Sequence, residues 1–273
     1  MIFEPGEQAT LEGDAVFEGV GVHSGEPCVL RVFPAEADTG IVFRRGAASV
    51  RAEPGNVTDV SRGTTIGAGG ATFVCVEHLL SALAGAGVDN AVCELDGPEL
   101  PVLDGSAGPY VSSFGQVGVR AQGRERRCFS VKSLECFARK DAVMVASPSA
   151  EFEISYLLRY DSPVIGMSFR KFSCSKDSFG RDIAPARTFG LVSEAEALRS
   201  AGLAKGASEE NVLVVYDDHV RPALRFSDEF VRHKLLDMLG DLALAGGAIS
   251  GTVFGVATGH WANVEMARRL RKE

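Results

Sequence analysis

Two short segments, Val76-Glu77-His78-Leu79-Leu80 and Val231-Arg232-His233-Lys234-Leu235, place a histidine in a helix-like apolar run in each half of a 273-residue chain. The elements downstream of each histidine repeat as well. In the first half, a helix predicted over Phe73 to Ala86 is apolar on all sides, with Thr72 as its N-cap and Gly85 and Gly87 at its end. A strand at Ala91 to Leu95 comes next, then a Pro/Gly-rich loop from Gly97 to Gly105 and a second helix from near Ser106. In the second half, Ser227 or Asp228 caps a helix from Glu229 to about Leu244, closed by Gly246-Gly247. A strand at Thr252 to Ala257, the turn Thr258-Gly259-His260 and a helix from Trp261 complete that half. Internal repeats are weak evidence alone, but the shared order of elements predicts an α+β chain of two structurally similar halves. The polar stretch Gln122 to Arg127 marks the boundary, giving domains 1–124 and 125–273.

Around this repeat, Cys28 to Phe33, Ile41 to Arg44 and Glu151 to Tyr160 read as strands, and Gly67 to Gly70 as a turn. Glu194 to Ser200 reads as a helix and Asn211 to Tyr216 as a strand. Together these last two predict a small βαβ-like insert at about 191–216.

Composition removes several functions. A net charge of −8 without a basic stripe argues against nucleic acid as a partner. No run of 18 apolar residues exists, and the first residues lack a charged segment followed by an apolar one, so the chain is expected to be cytoplasmic without stable membrane insertion. The six scattered cysteines form no C-x-x-C and read as buried free thiols of a reducing compartment, Cys75 among them as a core residue. The cations of Arg268 to Lys272 read as a helix end.

His233 and Asp237 stand one helical turn apart and so share a face, with Asp241 one turn further on. As an isolated short motif this is far more often a surface ion pair. Carboxylates on a helix otherwise full of Leu and Met need partners, however, because unpaired buried charge is costly. If the halves pack face to face, His78 meets His233, and His, His, Asp with one open position is the pattern of catalytic zinc, though Fe(II) accepts it too. Glu77, beside a ligand, is then the natural general base. His260, at a strand end, is placed to protonate a leaving amine, with Asp241 orienting it. Thr188, in the turn Ala186-Arg187-Thr188-Phe189-Gly190, is a candidate oxyanion donor. No H-E-x-x-H, P-loop or G-x-G-x-x-G after a strand is present.

These residues resemble a known family, the UDP-3-O-acyl-N-acetylglucosamine deacetylases. Val76 to Gly85 and Asp228 to Asp241 are similar to its two metal helices. Gly21 to Gly25, Leu103-Asp104-Gly105-Ser106-Ala107, Ala186 to Gly190 and Gly259-His260 match further signatures in the same order over nearly the whole chain. The resemblance implies that His78, His233 and Asp237 bind Zn²⁺, that Glu77 is the base, that His260 and Asp241 form the acid pair and that Thr188 binds the oxyanion. It implies that Lys234 and Phe189 contact the sugar and that the insert forms a passage for the acyl chain. The implied fold is a β-α-α-β sandwich, the metal helices at 73–86 and 228–244 packing against each other, and the site needs only a monomer. The implied reaction removes acetate from the 2-amino group of a UDP-linked, 3-O-acylated glucosamine in lipid A synthesis. Trp261 and Ser61-Arg62-Gly63 depart from the family pattern and bear on acyl-chain and inhibitor fit. A non-catalytic zinc protein that binds an acylated ligand, or another zinc amidohydrolase, shares the metal set. Glu77, Asp241 and His260 count against the first, and the full motif set against the second.

Overall fold

The computed structural model of the protein describes residues 1–272. The first half runs β1 (Glu7–Leu11), β2 (Ala15–Val20), β3 (Pro27–Pro34), β4 (Ile41–Arg45), β5 (Ala48–Arg51), β6 (Val57–Asp59), β7 (Thr65–Ala68), β8 (Ala71–Phe73), α1 (Glu77–Ala86), β9 (Ala91–Leu95), α2 (Gly108–Val117) and β10 (Val119–Glu125). The second runs β11 (Cys128–Ser130), β12 (Glu135–Arg139), β13 (Ala142–Ser147), β14 (Phe152–Arg159), β15 (Met167–Ser173), α3 (Lys176–Asp182), β16 (Phe189–Leu191), α4 (Val192–Ser200), β17 (Leu213–Val215), β18 (Val220–Arg221), α5 (Glu229–Ala243), β19 (Ala248–Val256) and α6 (His260–Lys272).

The repeat read from the two histidines is a repeat of topology. One sheet has the order β2-β3-β9-β4-β5 and the other β12-β13-β19-β14-β15, with β11 added along β19. In each, the strand after the histidine helix slots between two hairpins. It runs antiparallel to one (β3 or β13) and parallel to the other (β4 or β14). Burial alternates along β9 and β14, as it does in sheets with one covered face. Under the first sheet, Tyr110 and Phe114 of α2 set their rings edge-on to Phe17 of β2, at 4.7 and 5.8 Å between centroids.

Helices α1 and α5 pack against each other between the sheets, giving the α+β sandwich. Nine of the ten residues of α1 are buried, so it is an interior helix rather than an amphipathic one. The crossing is close because α5 carries glycine there: a Cβ at Gly240 would lie 2.0 Å from the Glu77 carbonyl oxygen. The insert is a βαβ unit in which β16 and β17 are parallel and joined by α4. It touches the first half through Lys205 N–H to His23 O (3.1 Å), Gly206 N–H to Val22 O (3.1 Å) and an Arg62–Glu194 ion pair (3.0 Å).

Several local expectations are corrected. The helix expected from Phe73 begins at Glu77, because Phe73 is paired to Ile66 in a hairpin strand and Cys75 takes a left-handed turn at φ +59°. Thr72 is therefore no N-cap, and His78 is the second residue of its helix while His233 is the fifth of α5. Asp228 stands at the N-cap of α5 without capping it, its carboxylate being taken by Arg170 and Arg232. The second helix starts at Gly108, since Ser106 is tied into a turn by Asp104. Cys128 and Cys136 are exposed, and Cys75 is half-buried. No described helix is long and apolar enough to cross a membrane.

Candidate active site

The packing of α1 on α5 brings His78, His233 and Asp237 together. Asp237 Oδ1 lies 3.3 Å from His233 Nε2 and 3.6 Å from His78 Nε2. The two imidazole rings stand perpendicular, 5.0 Å apart. One donor atom from each residue falls within 4.8 Å of the others. His233 Nδ1 is 3.0 Å from the Ala186 carbonyl, a contact that makes Nδ1 the protonated nitrogen and turns the Nε2 lone pair toward Asp237. Burial drives the His233 pKa down to about 3, so this imidazole is neutral. Burial also opposes charge on Asp237, but the Lys234 ammonium beside it outweighs that and holds the carboxylate well below its usual range.

This arrangement fits a divalent cation. A lone pair and a carboxylate oxygen face each other at 3.3 Å with no proton between them. Asp237 Oδ1 is buried and accepts no hydrogen bond, although an unsatisfied buried acceptor is costly. The other oxygen, Oδ2, accepts from Lys234 Nζ at 2.7 Å. Two imidazole nitrogens and one carboxylate oxygen are a suitable donor set for such an ion.

Around this set stand the other residues expected from the sequence. Glu77 is 4% exposed and accepts from the Thr64 N–H at 2.9 Å through Oε2. Burial raises its pKa, against the lowering effect of His260 and His78. Asp241 is fully buried and accepts from His260 Nδ1 and Asn263 Nδ2, each at 2.9 Å, and from the Thr64 hydroxyl. Burial disfavours the charged form of His260, but Asp241 overrides it and lifts the pKa to about 9. Thr188 lines the same cavity, its backbone fixed between Gly105 and Leu213. Lys234 Nζ sits 5.3 Å over the Phe189 ring. Burial opposes the Lys234 charge and Asp237 outweighs it, so its pKa is raised. The turn before Thr188 is anchored by Arg187, whose guanidinium and backbone N–H both bond the buried Glu229 carboxylate.

All of these line or flank one cavity of about 830 Å³, which also reaches Tyr160, Trp261, Arg62 and the insert helix α4. Three site residues escaped the sequence reading. Thr64 bridges Glu77 and Asp241 from a distant hairpin, and no local pattern marks it. Asn263 stands one turn after His260 on α6, a spacing that does put it on the same face. Glu99, buried at 2% exposure, accepts the N–H groups of His23 and Ser24 and the Cys75 thiol. His23, Cys75 and Glu99 also form a compact donor group, but those bonds already occupy the Glu99 oxygens. Cys75 is thus a cavity-lining residue and not a core one.

Comparison with known proteins accords with this geometry. Residues 8–272 match the family model described as UDP-3-O-acyl N-acetylglycosamine deacetylase. The chain is 42% identical to the UDP-3-O-acyl-N-acetylglucosamine deacetylase of Geobacter sp. (strain M21), over 100% of this chain and 90% of that protein. It is 40% identical to the protein so named in Phenylobacterium zucineum (strain HLK1), over 96% of this chain and 92% of the other. The one in Chlamydia muridarum (strain MoPn / Nigg) is 39% identical, over 96% and 94%.

Proposed function

Because the chain belongs to the UDP-3-O-acyl-N-acetylglucosamine deacetylase family, we propose that His78, His233 and Asp237 hold its catalytic metal and that Glu77, Asp241, His260 and Thr188 carry out the proton transfers and charge stabilisation around it. The enzyme is a deacetylase of the lipid A pathway. The observation that carries the site assignment is the buried, unpartnered Asp237 Oδ1 facing two imidazole nitrogens.

We assign the ion as Zn²⁺, with Fe²⁺ an acceptable replacement for this donor set. When bound, it supplies Lewis acidity, lowering the pKa of water and polarising the acetyl carbonyl. Glu77, its pKa raised by burial, takes a proton from the attacking water. The new C–O bond forms as charge collects on the carbonyl oxygen, toward which the Thr188 hydroxyl and cationic His260 donate. His260 then passes its proton to the amine nitrogen as the C–N bond breaks, and Asp241 holds the imidazolium in place meanwhile. The products are acetate and the free 2-amino sugar. Lys234 and Phe189 contact the sugar, and the insert, whose helix α4 lines the cavity, forms the passage for the 3-O-acyl chain. We further assign a monomeric enzyme of the cytoplasm, with no nucleic-acid partner and no stable membrane insertion. Its division is near 124/125, at the end of β10, with an insert at about 191–216 entered from β16.

The deciding experiment measures metal per chain and acetate release from UDP-3-O-acyl-N-acetylglucosamine, before and after chelation and after return of Zn²⁺ or Fe²⁺. Near-stoichiometric metal with chelator-sensitive release is expected. Bound metal without release points to a non-catalytic binding protein, and a chain that takes up no metal refutes the site.

A further inference from the structure

The proposed base and the orienting carboxylate of the proposed acid belong to different halves of the chain, yet one residue bonds both. Thr64 is fully buried and immediately precedes β7. Its N–H donates to Glu77 Oε2 at 2.9 Å. Its hydroxyl donates to Asp241 Oδ1. Its carbonyl accepts from Val76 N–H at 3.0 Å, which ties the residue just before α1 to the hairpin. Every polar group of the residue is committed, two of them to the residues assigned to proton transfer. The preceding Gly63 completes the cradle. A Cβ there would stand 2.9 Å from Glu77 Oε1 and 3.0 Å from Cys75 Sγ, so any side chain would push on the base.

Each bond has a directional consequence. With Oε2 occupied by Thr64, Glu77 is left with Oε1 as the oxygen free to accept a proton. Asp241 receives Thr64 on Oδ1 and His260 and Asn263 on Oδ2. Its carboxylate plane is therefore held on two sides, and the His260 ring inherits that orientation. We propose that Thr64 is a positioning residue of the reaction, a single clamp that sets the proton acceptor and the proton donor relative to each other. The inference rests on the deacetylase reading of the site.

Thr64→Val keeps the shape and the backbone bond to Glu77 but removes the donor to Asp241, so it isolates the acid side. Thr64→Ser keeps the donor. Outer groups that orient site residues typically contribute about 10–100-fold. Expected are a kcat loss of at least about 10-fold in Thr64→Val with KM and metal content unchanged, and recovery to within about 3-fold in Thr64→Ser. Since the hydroxyl acts through Asp241 on His260, adding Thr64→Val to a His260→Ala enzyme should cost no further activity. Should the valine variant not fold, Thr64→Ala in the same cycle reads the same quantity. A wild-type kcat in Thr64→Val, equal losses in the valine and serine variants, or full additivity with His260→Ala would each overturn the proposal. Absence of acetate release from the wild-type chain would instead overturn the deacetylase reading beneath it.

Discussion

The closeness of the α1–α5 crossing makes a strong prediction about Gly240, a residue that supplies no side chain to the site. In Gly240→Ala the added methyl carbon would meet the Glu77 carbonyl oxygen at 2.0 Å and its carbonyl carbon at 2.8 Å, whereas ordinary contact begins at 3.4 Å. The neighbours are backbone atoms of a buried helix, so no side chain can swing away and the helices must separate by more than 1 Å. His78 comes directly after Glu77 on that helix, while His233 and Asp237 ride on the other. A ligand set tolerates errors of about 0.2 Å, so the displacement exceeds what the ion accepts. Overpacking alone costs about 1–3 kcal/mol of stability. Metal affinity should fall at least about 10-fold, and turnover about 100-fold, the loss typical of a 1 Å misplacement. Competition with a chromophoric chelator gives the first, acetate release at saturating metal the second, and urea unfolding of the metal-free forms the stability term. A Gly240→Ala enzyme that binds metal within twofold of wild type and turns over normally would show that the crossing does not set the site.

The same geometry makes further demands. Asp237→Ala should lose stoichiometric metal, because it removes the oxygen shared by both histidines; metal retention in elemental analysis would place the ion elsewhere. Glu77→Gln should keep the metal and lose about 10²–10⁴-fold in kcat, as expected for loss of a general base; normal turnover would remove Glu77 from the mechanism. The His260 pKa near 9 predicts that activity dependent on the imidazolium persists through neutral pH and falls as pH rises past about 9. In Asp241→Asn that basic limb should move down toward the ordinary histidine value of about 6.5, and an unmoved limb would refute the pairing. The sign for stability is the same. The folded pKa lies above the unfolded one, so the pair's contribution is fully present below about 6.5 and is lost as pH rises through about 9. Arg187→Met, which strands the Glu229 carboxylate in the interior, should cost about 3–5 kcal/mol in urea unfolding, and a change below about 1 kcal/mol would contradict it.

The parts of the site that lie on one helix were readable from spacing alone: His233, Asp237 and Asp241 share a face at any tertiary arrangement. The pseudo-repeat was readable because each histidine helix leads into the same strand, and that strand occupies the same slot in both sheets. The start of α1 was not. Phe73 to Val76 are uniformly apolar, and a short apolar run does not distinguish a buried strand from a buried helix. Only the pairing of Phe73 with Ile66 and the turn at Cys75 decide it. Thr64 was invisible for a different reason. Its roles are contacts at separations of 13 and 177 residues, made from a hairpin whose local sequence is an ordinary turn. Gly240 likewise looks like a weak point in a helix until the opposing backbone is seen.

The proposed ligands are unevenly distributed in time as well as in space. His78 leaves the ribosome as part of the first half, whereas His233 and Asp237 follow only with the second half. Until α5 has folded against α1, His78 stands apart from the His233–Asp237 pair and the three donors do not converge. Loading is thereby postponed until tertiary assembly is complete. Held by these residues, the ion would act as a clasp across the seam between the halves. An ion at about 1,000 times its dissociation constant adds about 4 kcal/mol to the folded state, so starving the cell of metal would loosen the joint as well as silence the chemistry.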